Sequence, residues 1–324
     1  MTEISRRTLL AGVAAAAAGP LAATTSARAA APLSGKLAPG FYRYKVGDYE
    51  ITVINDGVWL RKLEESTIQG APFAEVQRVL AEGFQPAGIL PIPFSPYVVN
   101  TGSKLVLIDI GTGGRFVPTS GGYLENFAAA GFDPKQVDSV VISHFHPDHI
   151  NGIWTKDDQI AFPNAEITVP APEWAFWMDD AKMAAAPEAM KGLFANCRRV
   201  FGPIASKVTR YEPGKEVAPG IVSFGAYGHT PGHTGFVVSS GNQSMLSIVD
   251  SVGNPAVFTR HPEWQYIADT DRAVGVDTRK KILDRAATDK VRIQAMHFPF
   301  PGTGYIEKDR TGYRFVPAAW THIL

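Results

Sequence analysis

Apolar and polar positions alternate in two strand-rich stretches of the chain, and each stretch has helical segments beside it. Phe41 to Val46 and Tyr49 to Asn55 alternate around the pair Gly47-Asp48, which predicts a β-hairpin. From Pro72 to Phe84 the apolar positions recur at helical spacing, with proline at the start and Glu75, Gln77 and Arg78 on the polar side. Pro86, Pro91, Pro93 and Pro96 then predict a loop. A second hairpin is expected from Tyr97 to Thr101 and Lys104 to Ile110, a helix from Tyr123 to Ala130 stopped by Gly131, and a strand from Ser139 to Ser143. Ile167 to Val169 predicts a short strand, and Glu173 to Met183 and Pro187 to Val200 predict helices. The later strands fall at Val208 to Tyr211, Ile221 to Ala226, Phe236 to Ser239 and Met245 to Val249. A long helix from Asp271 to Ala287, a strand from Arg292 to Met296 and a terminal hairpin from Tyr305 to Val316 complete the series. Two groups of strands accompanied by helices predict an α/β protein with two sheets packed face to face and helices outside.

Composition narrows the class. A chain of 324 residues with 45% hydrophobic residues buries a sizeable core, as one large domain or two small ones. Its formal net charge is zero, which gives no footprint for nucleic acid. The single cysteine, Cys197, excludes an intrachain disulfide and reads as a small core residue in an apolar-periodic segment. At the N-terminus, Ser5-Arg6-Arg7-Thr8-Leu9-Leu10 resembles a twin-arginine export signal, and Ala27-Arg28-Ala29 fits a cleavage site. The apolar stretch Leu9 to Ala18 is well short of the ~20 residues of a spanning helix. Residues 1–29 are therefore expected to be a signal peptide read by the twin-arginine machinery, and residues 30–324 a single periplasmic or secreted domain without a stable membrane anchor.

The chemistry concentrates in His144-Phe145-His146-Pro147-Asp148-His149, directly after the apolar run Val140-Val141-Ile142. Three of the eight histidines and a carboxylate in six residues are too many metal-grade ligands for packing to explain. Imidazole nitrogen and carboxylate oxygen suit Zn²⁺ and its borderline neighbours. Further candidates stand where apolar runs meet turns: Gly228-His229-Thr230-Pro231-Gly232-His233, then Asp250 after Ile248-Val249, then His297 after Ala295-Met296. From His149 to His233, Asp250 and His297 the chain advances 84, 17 and 47 residues, so these ligands converge only in the folded protein.

This series resembles the metallo-β-lactamase superfamily, with its His-x-His-x-Asp-His cluster followed by a lone His, a lone Asp and a last His. Within it, the chain resembles the methyl parathion hydrolase and lactonase-like group. The likeness runs through Pro39-Gly40-Phe41-Tyr42-Arg43, Asn100 to Asp109, Phe162-Pro163-Asn164-Ala165, Gly228 to Thr234 and Gly312 to Pro317. The resemblance implies an αβ/βα four-layer sandwich with two packed mixed β-sheets. It implies that His144, His146 and His233 hold one ion, Asp148, His149 and His297 a second, and that Asp250 bridges them. Asp148 and Asp250 are then the carboxylates on which catalysis depends. The two divalent ions are expected to be Zn²⁺, with Mn²⁺, Co²⁺ or Fe²⁺ as replacements. Three protein ligands per ion leave positions open for water, and two ions roughly 3.5–4 Å apart share a hydroxide.

The expected activity is attack of that hydroxide on a small-molecule lactone or aryl ester, with phosphotriesters as a side activity. The alternatives are a periplasmic β-lactamase and, from another class, an inactive metal-binding or partner-binding module. A homodimer is compatible with the resemblance. Asp109 reads either as a partner that orients a ligating imidazole or as a strand-end turn residue. His229 reads as a structural partner of its loop, and His261 and His322 as surface residues. Among the aromatics Trp59, Phe116, Trp174, Phe176, Trp177 and Phe194, the resemblance favours Phe116, Trp177 and Phe194 as lining of the substrate pocket.

Overall fold

Gly47, at a φ of 58°, turns the chain between Phe41–Val46 and Tyr49–Ile54, and the two strands pair in the predicted antiparallel hairpin. The computed structural model that shows this describes residues 33–321, 323 and 324. The export signal expected at residues 1–29 and the surface position expected for His322 lie outside the described residues. Pro39–Leu324 form one unit, and the described residues before it, 33–38, belong to a separate N-terminal one.

The hairpin opens a seven-stranded sheet that continues through Tyr97–Asn100, Leu105–Ile108, Ser139–Val141, Glu166–Pro170 and Val208–Tyr211. Its pairings are antiparallel as far as Leu105–Ile108 and parallel beyond it. The second seven-stranded sheet runs Glu216–Ala218, Ile221–Gly225, Thr234–Ser240, Gln243–Val249, Arg292–Ala295, Thr303–Asp309 and Gly312–Pro317. Only the junction of Gln243–Val249 with Arg292–Ala295 is parallel.

Period-two burial joins the layers. On the first sheet Val99, Val106, Ile108 and Val141 face a core shared with Phe236, Val238 and Ile248 of the second. Their neighbours Val98, Leu107 and Val140 face a separate core with Phe127, Trp177, Phe194 and Phe201 of the outer helices. Each such side chain contributes roughly 1.5–3 kcal/mol by leaving water, and a slip of one residue would exchange the faces, so the register is well specified. Beyond the second sheet, helix Arg272–Asp289 buries Ile282, Leu283 and Ala286. The order is helix, sheet, sheet, helix, the expected four-layer sandwich.

Two expectations need correction. The proline-rich stretch is no loop: Ile89–Phe94 is a strand paired antiparallel with Gly57–Lys62, in a separate two-stranded ribbon. Pro91 and Pro93 fit because, at alternate positions, they turn away from the partner strand, where no N–H is needed. Their carbonyls instead accept from Asn254 and His297. The helix expected from Glu173 to Met183 is two helices, Ala171–Trp177 and Asp180–Ala185. Asp179 breaks it by capping the second, its carboxylate accepting the Lys182 N–H at 2.8 Å. No helix among the described residues is long and apolar enough to cross a membrane.

Candidate metal centre

The first sheet delivers its histidines through a short, heavily bonded loop. Strand Ser139–Val141 runs into it, and Pro147 then starts the single helical turn Pro147–Ile150, which carries Asp148 and His149. Asp109, at the end of Leu105–Ile108 and at a φ of 58°, organises this loop. Its carboxylate accepts the Ser143 N–H at 2.8 Å, the Ser143 hydroxyl at 2.7 Å and the His149 Nδ1–H at 2.8 Å. Because the Ser143 hydroxyl donates to Asp109, it accepts from His144 Nδ1 at 3.0 Å. Both imidazoles therefore turn Nε2 inward, where it has no hydrogen-bond partner. Of the two readings of Asp109, the structure places it as the orienting partner.

The second sheet contributes single residues. Asp250 follows Gln243–Val249 beyond a register shift, and Val249 takes a φ of 45°, a region that a β-branched residue rarely adopts. That strained step turns Asp250 toward the histidines. His297 stands after Arg292–Ala295, donating Nδ1–H to the Pro93 carbonyl at 2.8 Å and holding Nε2 2.7 Å from Asp250 Oδ2. The ribbon that sequence patterning missed thus orients a metal-grade histidine.

Two groups of ligand atoms result, each within 4.8 Å of one another: His144, His146, His229 and Asp250, and Asp148, His149, Asp250 and His297. Asp250 belongs to both, as a bridge must. His144 Nε2, His149 Nε2 and Asp250 Oδ1 are buried without a hydrogen-bond partner. Orphaned lone pairs of this kind are costly inside a protein unless something electrophilic satisfies them, so the donor set fits divalent ions. His233 is brought to the first group, its ring 4.9 Å from that of His144. Its Nδ1–H goes to the Ala226 carbonyl at 2.8 Å and its Nε2 accepts the Asp250 N–H at 3.2 Å. His229, read from sequence as a loop partner only, stands in the group instead. The repeated Gly-His-Thr-Pro-Gly-His pattern was the signal for it.

Electrostatics divide the imidazoles. Burial, together with neighbouring histidines, holds His144 well below the usual range and brings His146 and His233 down to about 3. His149 is also desolvated by burial, yet Asp250, Asp148 and Asp109 raise it well above the ordinary value. For His229, Asp250 and Asp269 likewise overcome burial and raise it to about 9. Asp250, despite burial, is held well below the carboxylate range by His297, His149 and His144.

A cavity of about 930 Å³ opens over the centre, with His146, Asp148, Asp250 and His297 in its floor. Trp59, Phe94, Phe116, Met190, Leu193 and Tyr266 make much of its apolar wall. Phe116, 37% exposed, meets Trp59 edge-on at 5.3 Å and Phe94 at 6.0 Å. Trp177 and Phe194, expected beside it, do not line the cavity. Both are fully buried in the outer core, because helical spacing turns them toward the sheet, and Trp177 Nε1–H donates to Glu173 at 2.9 Å. Met190 and Leu193, beside Phe194 on helix Glu188–Phe201, reach the cavity instead.

The model of the metallo-β-lactamase superfamily matches residues 94–294. Among solved structures, AidC, described as a dizinc quorum-quenching lactonase in complex with a product, N-hexanoyl-L-homoserine, is 28% identical, with a TM-score of 0.82 over 87% of this chain and 99% of its own. The hydrolase AbOPH, described within the beta lactamase superfamily, is 30% identical, with a TM-score of 0.82 over 88% of this chain and 100% of its own. A probable metal-dependent hydrolase from Staphylococcus aureus shares the fold at 18% identity and a TM-score of 0.69, covering 86% of this chain and 100% of its own. No curated protein matches the chain.

Proposed function

Since the chain belongs to the metallo-β-lactamase superfamily, we propose that this metal-dependent hydrolase opens lactones or cleaves aryl esters that carry an apolar acyl or aryl group. The observation that carries the reading is the apolar-walled cavity of about 930 Å³ with both ligand groups at its floor. That volume is at the upper end of small-molecule sites. The lactone chemistry named for AidC supports the choice.

Asp148, His149 and His297 would hold one ion, His144 and His146 with a further histidine the other, and Asp250 both. When bound, the ions supply an activated water and polarise the acceptor oxygen. The chain's own residues do the rest. Asp109 and Pro93 fix the tautomers of His149 and His297. Trp59 and Phe116 hold the apolar part of the substrate and exclude water, and Arg61, stacked over Trp59 at 4.9 Å, stiffens that wall. Phosphotriesters are proposed as a side activity of the same cavity.

The test is a panel of lactones, aryl esters, phosphotriesters and a cephalosporin on one zinc-loaded sample. The reading expects the highest kcat/KM on lactones or aryl esters, rising with acyl length. Cephalosporin turnover alone would make the protein a β-lactamase, and no turnover of any member would make it a binding module. We further propose export through the twin-arginine route. Replacing both Arg6 and Arg7 by Lys should retain the protein in the cytoplasm, because the machinery reads the pair itself; undiminished periplasmic protein would refute it.

A further inference from the structure

His229 is held by a chain of buried polar groups from outside the metal loops. Its Nδ1 lies 2.9 Å from Asp269 Oδ1, and the other oxygen of that carboxylate accepts from Arg279 at 2.9 Å. Arg279 is 2% exposed on helix Arg272–Asp289. Its remaining donors reach the carbonyls of Ser251, Pro262 and Trp264, and Phe258 packs against its guanidinium at 4.5 Å. The loop is pressed onto the start of this helix. Gly228, at a φ of 116°, leaves no room for a side chain, since a Cβ there would stand 2.2 Å from the Gly275 nitrogen. Thr270 and Asp271 donate their N–H groups to the carbonyls of His229 and Gly228, both at 2.9 Å.

A carboxylate on Nδ1 fixes the tautomer of an imidazole and leaves Nε2 free to coordinate. Asp109 does this for His149 at 2.8 Å, and Asp269 repeats it for His229. The Nε2 of His229 lies 2.9 Å from His146 Nδ1 and 3.2 Å from Asp250 Oδ2, inside the first ligand group. The Nε2 of His233 accepts the Asp250 backbone N–H at 3.2 Å.

The geometry points to His229 as an eighth metal-binding side chain, a ligand of the ion held by His144, His146 and Asp250, with Asp269 and Arg279 as its positioning residues. This rests on the metal-dependent reading of the same centre and is independent of the substrate. It makes helix Arg272–Asp289, which supplies no ligand, a determinant of metal affinity.

The experiment is long-range ¹H–¹⁵N spectroscopy of the histidine-labelled, zinc-loaded protein, with His229 assigned by the loss of its signals in His229→Gln. His229 should carry its proton on Nδ1 and none on Nε2. In parallel, zinc titration against a chelator should show Asp269→Asn binding one ion about 10–100-fold more weakly, the other unchanged, with the folded state checked by circular dichroism. A proton on Nε2 of His229 in the zinc-loaded wild type overturns the assignment, even if no variant folds. Equal zinc affinities in wild type and a folded Asp269→Asn variant overturn the positioning role. Failure of the wild type to take up zinc would overturn the metal-dependent reading itself.

Discussion

The two halves of the centre are built by different means. In the first sheet's half, His144, His146, Asp148 and His149 are neighbours in sequence, and Asp109 and Ser143 of adjacent strand ends fix two of them. In the second sheet's half, each contributor stands alone in the sequence and has a support of its own. His297 leans on Pro93, His229 on Asp269 and Arg279, and Asp250 on a strained Val249. A compact motif concentrates its tolerance and its vulnerability in a few residues. A dispersed one spreads them over the fold, and long-range packing decides its geometry.

Glu173 is the strut between the halves, and its removal should have the largest effect on stability. Fully buried, it accepts the N–H of Phe145 in the first loop at 2.8 Å and of Gly232 in the second at 2.6 Å, besides that of Trp177 Nε1. Glu173→Ala orphans all three donors, each worth about 1–3 kcal/mol when buried unpaired. Urea unfolding of the metal-free variant should show a loss of about 3–9 kcal/mol. A loss under 1 kcal/mol would mean that the halves are held together elsewhere.

Asp109 sharpens the contrast within the compact half. Asp109→Asn should weaken binding of the ion held by Asp148, His149 and His297 by about 10–100-fold, since the imidazole loses the partner that fixes it. Competition with a chelator reads this directly. Equal weakening of both ions would show that Asp109 supports the whole centre and not one side of it.

The cavity wall separates aromatics that recognise substrate from those that only pack. Phe116→Ala should leave stability nearly unchanged and lower kcat/KM for long acyl chains relative to short ones by about tenfold, the scale of a lost apolar contact. Phe194→Ala should do the reverse, costing about 3–5 kcal/mol of stability with the substrate ratio intact. Chain-length profiles and thermal unfolding of both variants check the pair. Altered selectivity in the Phe194 variant alone would restore it to the pocket.

What the sequence made legible follows the same division. His144 to His149 could be read directly because their spacing is local, and most strands could be read because period-two burial leaves its mark in the residues. The ribbon of Gly57–Lys62 with Ile89–Phe94 was hidden because its prolines mimic a loop. The break at Met178-Asp179 was hidden because a capping Asp inside an apolar-periodic segment resembles a polar helix position. That Trp177 and Phe194 are buried while Met190 and Leu193 reach the cavity depends on how each packs in the folded protein, which periodicity alone leaves open. Glu173, Asp269 and Arg279 carry no local pattern, because each acts on a partner brought near only by folding.

The halves meet in Asp250, the carboxylate common to both ligand groups. The most direct test of the account is therefore a count of metal ions per chain by elemental analysis, in the wild type and in Asp250→Ala after equal loading and washing. The account predicts two ions in the wild type and depletion of both sites in the variant. Active wild-type protein with no bound metal, or a variant that loses one ion and keeps the other at full occupancy, would contradict it.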